Sequence, residues 1–175
     1  AEERLKAYPH QFSGGMRQRV IIAIALAANP KLVIADEPTT ALDVTIQAQI
    51  LRLMKELVRE KGSSLILITH DLAVVSETVD RIIVMYCGKI VEEGTVEQVI
   101  QHPAHPYTKG LQDSIPRLHT EQKHLDYIPG MVPNMFHLPP GCLFGPRCKY
   151  HTSECDQVFP ERRETGKGHF VACCH

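Results

Sequence analysis

Two kinds of hydrophobic pattern alternate over residues 1–101. LVIA at 32–35 is a short, wholly apolar run, as expected for a strand covered on both faces, and SLILIT at 64–69 reads as another buried strand. Around them lie segments of helical character. Val20 to Ala28 is apolar throughout, and residues 44–60 place Ile46, Ile50, Leu53, Met54 and Leu57 close to a helical period. Ser13 is a good N-cap, so the first helix should run to about Ala28 and stop before Asn29-Pro30. A further helix is expected from about Asp71 to Thr78. RIIVMY (81–86), a turn at Cys87-Gly88 and KIVEE (89–93) read as a hairpin, and TVEQVIQ as a short helix capped by Thr95. Such alternation predicts an α/β layer structure with a mainly parallel sheet.

Past residue 101 the pattern dissolves. HPAHPY, IPR, IPG, MVP and LPPG scatter prolines through the chain, and apolar periodicity fades. The expected division is therefore 1–101 and 102–175. The second part reads as a small, loop-rich appendage with little core, in need of a staple.

Composition narrows the function classes. Hydrophobic residues make up 43% and charged residues 22%, as in ordinary globular proteins. A net charge of -1 gives no global field for nucleic acid or an anionic membrane, so no nucleic-acid partner is expected. The most apolar run has nine residues, against the roughly 20 that a spanning helix needs. AEERLKAYPHQF at the start lacks the apolar core of a secretory signal. The chain opens without Met inside a helix-like segment, which suggests truncation.

The chemistry concentrates in three places. LVIADEP (32–38) delivers Asp36 and Glu37 to the C-terminal end of a buried strand, the edge where open α/β sheets bind ligands. One carboxylate can serve Mg2+ while its neighbour deprotonates a water; a surface turn also fits. Thirty-three residues after Glu37, SLILITHD places His70 just beyond a second strand. If the strands are neighbours, His70 and Glu37 share one rim; otherwise His70 is a loop histidine. FSGGMRQR (12–19) opens a helix with Ser13, Gly14 and Gly15, whose backbone N–H groups make an anion cradle or simply an ordinary helix start. Between them, Asp43 of TTALDV can cap the next helix.

Taken in order, these segments resemble an ABC ATPase. SGGMRQR looks like the signature motif, LVIADEP the Walker B strand, ALD the D-loop and ITHD the switch-histidine loop. The wording FSGGM and the tail HPAHPYTKGLQDSIPRL (102–118) are similar to ATP-binding subunits of bacterial dipeptide/oligopeptide importers. The resemblance implies the C-terminal part of a P-loop NTPase-like ATPase domain, followed by a Cys-containing extension. It assigns Mg2+ to Asp36, the general base to Glu37 and γ-phosphate contact to His70. Ser13, Gly14, Gly15 and Met16 would grip ATP bound to the opposite subunit, with Asp43 signalling across the dimer. The implied partners are a second ATPase subunit, two transmembrane permease subunits and an extracellular substrate-binding protein. The implied place is the cytoplasmic side of the cell membrane. No G-x-x-x-x-G-K-[ST] occurs in residues 1–175, so these residues alone are expected not to bind or hydrolyse ATP appreciably.

Five of six cysteines lie in the last 34 residues. Cys142-x5-Cys148-x6-Cys155, then Cys173 after seventeen residues, supplies four thiolates suited to Zn2+ or an iron–sulfur cluster. The spacing is wider than a zinc knuckle, and the family tail implies [4Fe-4S]. Cys174 and His175 are spare donors; His102 and His105 read as loop histidines. Alternative functions are import of nickel or another small solute, a non-transport ABC ATPase in DNA repair or translation, and a metal- or cluster-binding remnant without ATPase activity. The long coiled-coil insertions or duplicated cassette usual in the non-transport class are absent from residues 1–175.

Overall fold

The computed structural model describes residues 6–115 and 127–175. The chain divides into two compact units, residues 1–79 and 80–175.

In the first unit, α1 (Gly14–Ala27), β1 (Leu32–Asp36), α2 (Val44–Glu60), β2 (Ser64–Ile68) and α3 (Leu72–Thr78) follow one another. Ser13 caps α1 by accepting from the Met16 N–H, and Asp43 caps α2 by accepting from the Ile46 N–H at 3.0 Å. β1 and β2 pair in parallel, with Asp36 opposite Ile68 at their C-terminal ends. Ile22 and Leu26 of α1, Ala35 of β1, and Ile50, Met54 and Val58 of α2 form the core.

The strands were expected to be covered on both faces. Among the described residues they are covered on one: Val33, Leu65 and Leu67 pack on the core, while Leu32, Ile34, Ile66 and Ile68 are exposed. The physical reason is that α1 and α2 supply helix to a single face, and side chains alternate along a strand.

The second unit contains β3 (Arg81–Tyr86), β4 (Lys89–Thr95), α4 (Val96–Gln101), α5 (Pro106–Asp113), β5 (Arg163–Gly166) and β6 (His169–Val171). The strands form one antiparallel sheet in the order β3-β4-β6-β5. The predicted hairpin is present. Cys87 and Gly88 both have positive φ, 45° and 77°, as a two-residue turn with the right twist requires. Along β3, Ile82, Val84 and Tyr86 are buried and alternate with exposed neighbours.

The tail departs from expectation. β6 pairs with β4, Glu92 opposite Val171, and the Ala172 N–H donates to Val91 O at 2.9 Å. Leu143, Phe144, Val171 and Ala172 are buried alongside Val91 and Val99. Phe144 lies 5.4 Å from both Tyr86 and Tyr107, ring centroid to centroid. The tail thus has a core because it shares one with the hairpin, and the division falls before β3 rather than near residue 102.

His105 is no loop histidine either. It is the N-cap of α5, accepting from the Tyr107 N–H through Nδ1, and it is fully buried. The Glu92 carboxylate, also fully buried, accepts from the Ala104 and His105 N–H groups at 2.8 and 2.9 Å and from His169 Nε2 at 2.7 Å. These bonds fasten loop 102–105 and β6 to β4, and they satisfy the buried carboxylate on both oxygens.

Candidate active site at the rim of the parallel strands

The parallel register does the positioning. Because Asp36 ends β1 opposite Ile68 of β2, the residues immediately beyond the two strands emerge side by side. The Glu37 N–H donates to Ile68 O at 2.9 Å, continuing the ladder by one bond. Glu37 then turns at φ 46°, a left-handed conformation that a non-glycine residue adopts only under local constraint. The turn is held by the Thr40 N–H donating to Glu37 O at 3.2 Å.

His70 meets Glu37 twice. Its Nδ1 lies 2.7 Å from Glu37 Oε1, and its backbone N–H donates to the same oxygen at 3.2 Å. On the other side, the Thr40 hydroxyl donates to Glu37 Oε2 at 3.2 Å. Both carboxylate oxygens are therefore fixed. The hydrogen bond from His70 holds the Glu37 carboxyl below the usual carboxylate range, and the same contact raises the His70 imidazole. Their side chains remain open to solvent, His70 at 86% and Glu37 at 36%, so a water or substrate can reach the pair. Asp36, also exposed, stands one residue before it.

Of the expected site residues, Asp36, Glu37 and His70 share this rim. Ser13 is the N-cap of α1, and Gly14 and Gly15 are its first two residues. A Cβ on Gly14 would lie 3.0 Å from Leu42 Cδ2, and one on Gly15 would lie 2.7 Å from Ile46 Cγ2. The close approach foreseen for these glycines is made within the unit by Leu42, just before α2, and Ile46, in its first turn. Met16 donates its N–H to Ser13 Oγ at 3.4 Å, and Asp43 is an N-cap. Thr40 was missed; its signal was a hydroxyl three residues past a candidate base, the spacing of a tight turn.

The cysteines are brought together only loosely. The Cys142 N–H donates to Cys155 O at 2.7 Å, and a Cβ on Gly141 would collide with that same oxygen, so only glycine fits there. Burial pushes the Cys142 and Cys148 thiols up. Burial and the Cys155 sulfur raise the Cys174 thiol to about 11, while at Cys155 burial is outweighed by hydrogen bonds from Thr152 and Cys174. Cys148 Sγ accepts from the Tyr150 N–H at 3.4 Å, and Cys155 Sγ lies 3.5 Å from Thr152 Oγ1. No group of three or more His, Cys, Asp or Glu side chains among the described residues could hold a metal ion. The expected four-cysteine site of Cys142, Cys148, Cys155 and Cys173 is not formed as drawn. Nor is any helix among the described residues long and apolar enough to cross a membrane.

Comparison with known proteins gives this geometry a context. Residues 1–40 match the family described as ABC transporter, and residues 91–155 match the oligopeptide/dipeptide transporter C-terminal region. The oligopeptide transport ATP-binding protein OppD of Haemophilus influenzae is 54% identical over 99% of this chain and 53% of its own length. The oligopeptide transport ATP-binding protein AppD of Bacillus subtilis is 56% identical over 99% and 53%. The dipeptide transport ATP-binding protein DppD of Bacillus subtilis is 55% identical over 98% and 51%. The chain thus spans about half the length of these curated relatives. Among solved structures, cbiO1 of Clostridium perfringens, part of the ABC transporter complex cbiONQ, superposes with a TM-score of 0.51 at 35% identity, covering 54% of this chain and 38% of the other. With a rim that joins Glu37 to His70 beside Asp36, the chain is similar along nearly its whole length to about half of each of these transport ATP-binding proteins, and it carries matches to the ABC transporter family and to the oligopeptide/dipeptide transporter C-terminal region.

Proposed function

We propose that these residues form part of an ATP-hydrolysing subunit that powers import of dipeptides or oligopeptides. The observation that carries the reading is the Glu37–His70 contact at the rim of two parallel strands, with Asp36 beside it. Glu37 is ionised at neutral pH, exposed and fixed on both oxygens, which suits a base that takes a proton from an attacking water. His70 orients that carboxylate through Nδ1, leaving the rest of its ring free to meet a phosphate oxygen.

An exposed carboxylate at the end of β1 fits Mg2+, so Asp36 would hold the ion, which supplies charge neutralisation at the phosphates. Ser13, Gly14, Gly15 and Met16 would contact ATP held by a second ATPase subunit, and Asp43 would lie at that interface. The phosphate-binding loop has to come from chain outside residues 1–175. Two permease subunits, an extracellular binding protein and a place on the cytoplasmic side of the membrane complete the reading, supported by the named relatives.

The test is ATP turnover by an intact subunit containing these residues, assembled with its permeases. Glu37→Gln should retain nucleotide binding and lose about 10²–10⁴ in rate. Turnover equal to that of the unsubstituted protein would overturn the reading. Residues 1–175 alone should show no turnover.

For the tail, the finer proposal is a [4Fe-4S] cluster, with Zn2+ as the alternative, on Cys142, Cys148, Cys155 and Cys173. Its support is donor chemistry: four thiols in one unit that bear on one another's ionisation. As they stand, the described residues form no chelating group, so binding would require these side chains to rearrange. Metal analysis and the visible spectrum of anaerobically purified protein test it; stoichiometric absence of iron and zinc would end it.

A further inference from the structure

We propose that a basic cleft in the second unit binds the oxyanion group of a small solute, a phosphate or a carboxylate. The cleft, of about 520 Å³, is walled by Pro103 to Pro106, Lys109, Lys149 to His151, Cys173 and His175. Two lysines line it and no Asp or Glu side chain does. Neither Lys109 nor Lys149 forms an ion pair with a described residue; the Lys149 ammonium only lies over the Tyr150 ring, 5.3 Å from its centre. The carboxylates bonded to wall residues are already occupied. Asp156 Oδ1 lies 2.8 Å from His151 Nε2, and Glu92 is satisfied by three donors.

A second observation points to the same ligand chemistry. Burial holds the His105 imidazole down to about 4, so the ring is neutral at physiological pH. Its Nδ1 accepts from the Tyr107 N–H at 3.0 Å, which places the proton on Nε2. That Nε2–H is buried and has no acceptor among the described residues. The Thr108 hydroxyl, on the same first turn of α5, is likewise buried without a partner. Buried donors left without acceptors are destabilising and rare. The cleft therefore combines two lysines without ion pairs and, in the buried His105 that also lines it, an N–H without an acceptor among the described residues. An oxygen-rich anion answers both demands; a cation or an apolar molecule answers neither.

This inference stands apart from the ATPase reading, because Glu37 and His70 belong to the first unit, and either can fail alone. The experiment is a phosphorus NMR titration of the full chain with inorganic phosphate at neutral pH and physiological salt, repeated with chelator present. A parallel titration with acetate is followed by the imidazole nitrogen signals. Saturable binding is expected for at least one anion, with movement of the His105 Nε2–H signal. Lys109→Glu and Lys149→Glu should each weaken it about tenfold or more, with circular dichroism confirming that the variants stay folded. Preference for phosphate over acetate, or the reverse, identifies the source of the group. Failure to saturate with both anions, affinity unchanged in both variants, or binding that vanishes with chelator would overturn the proposal.

Discussion

Glu37 and His70 make one titrating pair, and its pH window follows from the directions of their shifts. The Glu37 carboxyl is lowered chiefly by the His70 hydrogen bond, so its share of the pairing is present above the ordinary carboxylate value and fades as pH falls through the lowered one. The His70 imidazole is raised chiefly by Glu37, so its share is complete below the ordinary 6.5 and fades as pH climbs through the raised value. The contact is therefore strongest at mildly acidic to near-neutral pH. A titration of His70 by NMR should give an apparent pKa above 6.5, returning toward 6.5 in Glu37→Gln. An unperturbed value in the unsubstituted protein would mean that the 2.7 Å contact does not persist in solution. Thr40→Val tests the other side of the carboxylate. It removes the hydroxyl bonded to Oε2 while leaving His70 in place, so Glu37 should titrate slightly higher and the His70 shift should survive.

At the scale of elements, the start of α1 carries two demands at once. Under the proposed ATP contact its backbone N–H groups must be left accessible, and Leu42 and Ile46 must come close. Glycine serves both. An alanine at Gly15 would bring its Cβ to 2.7 Å from Ile46 Cγ2, a branch held in place by the stiff χ1 of a β-branched residue in a helix. Alanine favours helix over glycine by up to about 1 kcal/mol, but overpacking costs about 1–3 kcal/mol, so Gly15→Ala should be destabilising in urea unfolding. The double substitution with Ile46→Ala should cost less than the two single effects added together, because the clash is gone. Strict additivity would refute a contact origin. This close packing was half legible in the sequence. The glycine pair announced an approach, and Ser13 and Asp43 announced the caps that start both helices. What approaches the glycines is set by where α2 lies, and no local pattern encodes that. The rim itself was more readable, since two apolar runs each ending in polar chemistry needed only to be neighbours for Glu37 and His70 to meet.

Across the whole chain, the segment after residue 101 was the hardest to read. Its prolines and scattered apolar residues have no period because their partners are remote: Phe144 packs on Tyr86 and Tyr107, and Val171 pairs beside Glu92. Glu92 looked like one of two charges ending a hairpin strand, yet burial and three donors make it the tie between β4, loop 102–105 and β6. The sequence suggested a tail with little core, whereas its apolar residues share one with the hairpin, to which the proposed cluster would add. That difference has a measurable consequence. If the hairpin and the tail fold as one body, Phe144→Ala should cost about 3–5 kcal/mol and should lower hydrogen-exchange protection of the β3–β4 amides, although Phe144 lies far from them in sequence. Under the same substitution the amides of α2, in the other unit, should keep their protection. Fraying confined to residues 141–175, with β3–β4 unchanged, would show instead that the hairpin stands without the tail and that the appendage is held by something other than its apolar core.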